Sequence, residues 1–228
     1  MAVSAQAALL CVCDGMGGHA DGERAADIAQ HTILERFMQA SKPLLDPLGF
    51  LHLGLGAAHE RVVSMGAHLP IEQRPRATCA VCLAQDSSAY WAHVGDSRVY
   101  HLRAGRICER TRDHSHVELL LREGVIDHGQ VSGHPMRNFV ESCLGGDPIL
   151  PEMAVSRRCA LLPGDVLLVC SDGFWAPLDD ERIAAAFVTQ EQSLGATLAM
   201  LAAQAVALAG EASDNTSVAA LRLSAGES

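Results

Sequence analysis

Residues 8–18 read Ala-Leu-Leu-Cys-Val-Cys-Asp-Gly-Met-Gly-Gly, an apolar run that ends in an aspartate at a glycine turn. The same grammar returns in Tyr90–Arg98 (YWAHVGDSR) and Val166–Phe174 (VLLVCSDGF), and a further carboxylate, Asp214, stands in the late phrase ASDNTSVAAL. A short apolar run bounded by turn residues reads as a buried strand. A following Asp-Gly lets the backbone bend sharply while a carboxylate leaves the sheet, because glycine tolerates φ > 0. Asp14, Asp96 and Asp172 are therefore expected at strand ends. One such aspartate is a turn residue; four in one chain form a candidate set of oxygen ligands for hard divalent cations.

Working outward from these runs, the first strand is expected over Ala8–Cys13 and a helix over Asp21–Ala40, whose Ala25, Ala29, Ile33 and Phe37 follow the helical period. A second helix is expected within Pro47–Gly66. A meander of strands follows at Thr78–Gln85, Ala89–Val94, Arg98–Arg103 and Arg106–Arg110, with Ser87-Ser88 and Ala104-Gly105 as hairpin turns. Asp113 to Pro151 is a long polar excursion, and excursions of that length are more often functional than idle. Strands resume at Asp165–Cys170 and Thr216–Leu223, around helices at Asp179–Phe187 and Leu194–Ala209. Strands in antiparallel runs and helices in pairs predict an α+β fold in a single domain over 1–228. Two antiparallel sheets pack together, and helix pairs cover their outer faces.

Composition narrows the function. Apolar residues make up 49% and charged residues 19%, which excludes a disordered chain. The net charge is −10, and the 17 basic residues, all arginine but Lys42, form no run able to neutralise nucleic-acid phosphates. Eight cysteines include C-x-C at Cys11 and Cys13 and C-x-x-C at Cys79 and Cys82. These lie in strand-like runs, where residues i and i+3 face opposite sides, so core thiols in a reducing, cytoplasmic compartment are expected rather than zinc ligands. No secretory leader is evident. Leu194–Gly210 is shorter than the roughly 20 residues of a membrane span and is expected to be a buried helix, with no membrane partner.

If Asp14, Asp172 and Asp214 share one edge, their carboxylates repel one another unless cations sit among them. Mg²⁺ or Mn²⁺ suits such a site, and paired ions acidify a water that can attack a phosphate ester in line.

Seven phrases in order resemble the bacterial metal-dependent (type 2C) protein serine/threonine phosphatases. They are CDGMGGHADGERAADIA, ATCAVCLA, AHVGDSRVYHLRAGRI, TRDHS, GHPMRNFVESCLGG, PGDVLLVCSDGFW and SDNTSVA. The resemblance implies a four-layer α-β-β-α sandwich with two Mg²⁺ or Mn²⁺ ions at one end and a third held more loosely. It implies that Asp14 bridges the two ions, that the Gly15 carbonyl binds the second, and that Asp172 and Asp214 complete the first. Asp96 would hold the third ion, Asn215 would support the ligands, and residues 115–148 would be a mobile flap. The implied reaction is hydrolysis of phosphoserine or phosphothreonine by a hydroxide shared by two ions, in a monomer acting on the phosphoprotein products of a serine/threonine kinase.

One departure stands out. The family opens with a strand that carries a phosphate-gripping arginine and an acidic phrase, whereas MAVSAQAALLCVC before Asp14 has no charge. The expectation is a start placed too far downstream or a shortened chain, ahead of an impaired member. An unpaired edge on the first strand would follow. A catalytically impaired phosphoprotein-binding module stays open as the alternative, and a nuclease is disfavoured by the charge. His114 and His134 are candidate general acids. Arg98 and Arg137 are candidate phosphate contacts, although Arg98 reads more readily as a structural ion pair behind the metal site.

Overall fold

The computed structural model describes residues 1–4, 6–16, 20–131, 133–188 and 193–224. In chain order the elements are β1 (Ala2–Val3), β2 (Ala7–Val12), β3 (Gly15–Met16), α1 (Ala20–Gln39) and α2 (Pro47–Gly66). Next come β4 (Arg76–Ala77), β5 (Cys79–Gln85), β6 (Ser88–Val94), β7 (Arg98–Arg103) and β8 (Arg106–Arg110). The excursion holds α3 (His116–Arg122), α4 (His128–Val131) and β9 (Leu144–Gly145), and leads to β10 (Ala154–Val155) and β11 (Cys159–Ala160). The chain closes with β12 (Val166–Cys170), α5 (Asp172–Trp175), α6 (Asp180–Ala185), α7 (Leu194–Ala209) and β13 (Val218–Arg222). Gly17, Gly18 and His19, part of the first glycine turn, lie outside the described residues.

Two antiparallel sheets carry the fold. One runs β1-β2-β5-β6-β10, with β11 also on β6; the other runs β13-β12-β7-β8. Alternation along each strand sends its residues to two different layers. Leu9 and Cys11 of β2 join Ala29, Ile33 and Phe37 of α1 and Leu51, Leu55 and Val62 of α2 in one cluster. Leu10 and Val12 point the other way and meet Leu167 and Val169 of β12 between the sheets. Tyr100, Leu168 and Phe174 pack with Ile183 of α6 and Leu201 and Ala205 of α7 beyond the second sheet. Each fully buried leucine in these layers contributes about 1.5–3 kcal/mol. The expected α-β-β-α order is therefore present.

The details differ instructively from the sequence reading. The expected meander is split: β5 and β6 form a hairpin in one sheet, β7 and β8 a hairpin in the other, and Gly95–Ser97 carries the chain between them. The first hairpin turns at Asp86-Ser87 (φ 49° and 51°), one residue earlier than expected, and the second at Ala104-Gly105 (φ 48° and 72°). Both positions of each turn have φ > 0, as a type I′ turn needs. A small third sheet, β3-β4-β9, was not anticipated, because two-residue strands leave no periodic signal. The edge of β2 is not bare: Ala2 and Val3 pair with Leu9 and Ala8.

Helix α7 is corrected too. It is not a buried helix, since only Thr197, Leu201 and Ala205 are buried along it, while Met200, Val206 and Leu208 are exposed. Leu194–Ala212 is long and apolar enough to cross a membrane by composition, with 17% of its window buried, yet Leu201 and Ala205 belong to the core beyond the second sheet.

Candidate metal centre

Each aspartate is held by local chemistry that the fold explains. Asp14 follows β2, and its carbonyl accepts the Thr78 backbone N–H at 2.8 Å. Gly15 then lies against the start of α1, where an added Cβ would fall 2.1 Å from the Gly22 carbonyl oxygen. Asp172 is the first residue of α5, and Gly173 after it faces the Asn215 carbonyl, 2.5 Å from where a Cβ would sit. Neither glycine is among those with positive φ. Glycine is needed at these two positions because backbone comes close, not because the chain turns left-handed.

Asp96 sits in the switch between sheets. Trp175 Nε1 donates to its carbonyl at 2.9 Å, and Ser97 Oγ pairs with Thr78 Oγ1 at 2.7 Å. Asp214 lies on the segment before β13. There Ser171 stitches the ends of β12 and β13 together: its Oγ donates to the Asn215 carbonyl at 3.1 Å and accepts the Ser217 N–H at 3.1 Å. Thr216 Oγ1 adds a bond to the Gly173 carbonyl at 3.2 Å.

The four carboxylates converge electrostatically. Burial, followed by the neighbouring charge of Asp172, raises the Asp14 pKa to about 8, and Asp214 and Asp96 add to the effect. Burial, then Asp172 and Asp113, likewise raises Asp96 to about 7. Asp14 and Asp172 meet across the sandwich, from strands in different sheets, rather than as neighbours on one sheet. The carboxylates do not close to a trio of ligand atoms within 4.8 Å; among the described residues only Cys11, Cys13 and Cys79 do so. Two ions about 3.5–4 Å apart need the wider spacing. An all-oxygen set in which Asp14 and Asp96 are raised toward neutral pH fits hard divalent cations, which would relieve the same repulsion.

The remaining expected residues divide. Gly15 adjoins Asp14, while the side chain of Asn215 makes no hydrogen bond among the described residues and its main-chain carbonyl does the bracing. Arg98 is not a free phosphate fork. Its Nε and Nη2 donate to Asp113 at 2.8 and 2.7 Å, its guanidinium stacks 3.2 Å above Trp175, and its side chain is 11% exposed. Arg137 is exposed in the flap. His134 Nδ1 accepts the Met136 N–H at 3.1 Å, a turn contact within the flap. His114 stacks on His93 at 4.6 Å and accepts the Gly95 N–H through Nδ1 at 3.3 Å. Burial lowers its pKa, which keeps it neutral near pH 7 and makes it a weak general acid there.

Sequence reading missed Thr78, Ser97, Ser171 and Trp175, the residues that brace the aspartate-bearing loops. The Ser in Ser-Asp-Gly and the Thr before Cys79 were visible, but only the register of the sheets shows what they clasp. A cleft of about 990 Å³ opens beside the flap, lined by Arg76, Arg112, Asp113, His114 and Arg122 among others. It borders the carboxylates through Asp113, which pairs with Arg98, but contains none of the four.

Comparison with known proteins agrees with this geometry. The profile of the family described as "Protein phosphatase 2C" matches residues 1–207. The serine/threonine protein phosphatase PstP of Mycobacterium tuberculosis is 32% identical over 181 residues, which cover 79% of this chain and 34% of that protein. The chain thus spans about a third of the length of the first curated relatives it matches. The crystal structure of the M. tuberculosis phosphatase superposes with a TM-score of 0.82 at 28% identity, covering 98% of this chain and 91% of that one. The PstP catalytic domain in complex with 2 manganese ions gives a TM-score of 0.78 at 27% identity over 95% of this chain and 87% of that one.

Proposed function

The chain belongs to the protein phosphatase 2C family, and from that premise we propose that it hydrolyses phosphoserine and phosphothreonine on proteins with the help of two Mn²⁺ or Mg²⁺ ions. The observation that carries this reading is the cluster of Asp14, Asp96, Asp172 and Asp214, in which burial and then the neighbouring carboxylates raise Asp14 to about 8. Asp14, the Gly15 carbonyl, Asp172 and Asp214 would hold the paired ions, and Asp96 a looser third. When bound, such ions stabilise the charge of the phosphoryl group and lower the pKa of water.

The chain's own part is positioning. Thr78 and Ser171 fix the segments from which Asp14, Asp172 and Asp214 project, so little reorganisation accompanies the reaction. Arg98 holds Asp113, which lines the cleft, and stacks on Trp175, whose Nε1 donates to the Asp96 carbonyl. Arg76, Arg112 and Arg122 of the adjoining cleft are the cations a phosphopeptide would meet there, set among Asp113, Glu118, Glu141, Asp147 and Glu152. No cysteine nucleophile is required. A monomer acting in the cytoplasm, in signal transduction opposite a serine/threonine kinase and away from membranes, is part of the same reading. A silent binding module is not favoured, since the relatives are phosphatases by name.

The test is Mn²⁺-dependent hydrolysis of an aryl phosphate and of a phosphothreonine peptide. Asp172→Asn is expected to lower turnover by about a thousandfold, several kcal/mol of transition-state stabilisation, with an unchanged circular dichroism spectrum. Undiminished turnover in that variant would refute the assignment.

A further inference from the structure

Three thiols gather on the side of β2 and β5 that packs against α1 and α2. Cys11 in β2 and Cys13, one residue past its end, stand two residues apart and join the same cluster. The β2–β5 register, Cys11 opposite Val81 and Val12 opposite Ala80, brings Cys79 next to Cys13. The Sγ atoms of Cys11 and Cys13 are 3.9 Å apart, those of Cys11 and Cys79 4.0 Å, and all three lie within 4.8 Å of one another. Cys82, three residues on from Cys79, faces the inter-sheet layer instead. The convergence is therefore cross-strand, and the C-x-x-C pair has no part in it.

For a metal–sulfur bond of about 2.3 Å, three sulfurs around one ion stand about 3.8 Å apart in a tetrahedron and about 4.0 Å apart in a plane. Two of the three separations, 3.9 and 4.0 Å, fall at these values, and the third lies within 4.8 Å. The surroundings are apolar: Leu9, Ala25, Ala29 and Val81 share the cluster. The nearby Gln30 amide donates to the Cys11 carbonyl at 3.2 Å. Among the described residues no fourth His, Cys, Asp or Glu ligand joins the trio. Zinc in structural sites takes four ligands, whereas soft thiolates select Cu(I), which is satisfied by fewer.

We propose that Cys11, Cys13 and Cys79 form a trithiolate site for a soft monovalent cation, Cu(I), separate from the carboxylate cluster and independent of the phosphatase reading. Cys11 and Cys79 are buried and Cys13 is half-exposed, so Cys13 is the point of entry. Binding releases thiol protons to solvent and changes no oxidation state. It ties Cys13, the neighbour of Asp14, to Cys79, the neighbour of Thr78, whose N–H holds the Asp14 carbonyl. Occupancy therefore stiffens one edge of the candidate metal centre.

The experiment uses the full chain, reduced with a phosphine and saturated with Mn²⁺ so that the oxygen site is filled. Cu(I) is offered from a chromophoric chelator, and the chelator's colour and the ultraviolet thiolate-to-copper band are followed. The expected result is uptake of one ion per chain in competition with the chelator. Cys13→Ser and Cys11→Ala should each abolish it, with thermal unfolding without copper certifying that the variants fold. Exposed Cys108→Ser should keep it. Uptake that survives both Cys13→Ser and Cys11→Ala, uptake lost with Cys108→Ser, or displacement of Cu(I) by stoichiometric Zn²⁺ would each overturn the proposal.

Discussion

Asp14 shows what the cluster costs without ions. A carboxyl whose folded-state pKa is raised binds its proton more tightly in the folded chain, so deprotonation opposes folding. The penalty is absent below the unfolded value near 3.8, grows as the pH rises, and is complete above about 8. Metal-free protein should therefore lose stability between about pH 4 and pH 8. Mn²⁺, by taking the place of the proton, should flatten that slope; chemical denaturation at several pH values with and without the ion measures it. Arg98 gives the complementary case. Its pair with Asp113 is almost fully buried, so Arg98→Ala should destabilise the fold by about 3–5 kcal/mol by leaving Asp113 uncompensated. A change confined to KM for substrate, with stability untouched, would instead restore the role of a phosphate fork. The sequence made both readings of this arginine visible; the choice needed Asp113 in its three-dimensional place.

At the scale of elements, the Asp-Gly grammar located the right loops for a partly wrong reason. Gly15 and Gly173 are there to admit a neighbouring backbone, which no single-strand argument can foresee because the neighbour is distant in sequence. Gly173→Ala should push the Asn215 carbonyl away, cost about 1–3 kcal/mol, and weaken Mn²⁺ affinity through Asp214, as thermal unfolding and ion titration would record. Helices were legible where caps and period agree: Pro47–Gly66 begins after Asp46, whose Oδ1 accepts the Gly49 N–H, and it ends as the sequence reading had it. Leu194–Ala209 was legible in extent but not in burial. A run of alanine and leucine is apolar all round, so its pattern cannot say which side meets the core. The thiol trio escaped for a related reason: i, i+2 spacing was plain, but the partner came from the register of the next strand.

Over the whole molecule, the layers followed from counting strands and helices, while the route of the chain between sheets did not. Nothing in Gly95-Asp96-Ser97 distinguishes a turn within a sheet from a crossing between two. That crossing matters, because it leaves Asp96 near Asp172 while β2 and β12, packed face to face, deliver Asp14 and Asp172 to the same end. The centre is therefore a property of the sandwich and not of any one sheet. A net charge of −10 adds a field that draws in cations and disfavours nucleic acid. The most direct measurement is anomalous diffraction at the manganese edge from crystals grown with Mn²⁺. Strong peaks between the carboxylates of Asp14, Asp172 and Asp214 are predicted, and their absence there, with manganese bound elsewhere or not at all, would contradict the account.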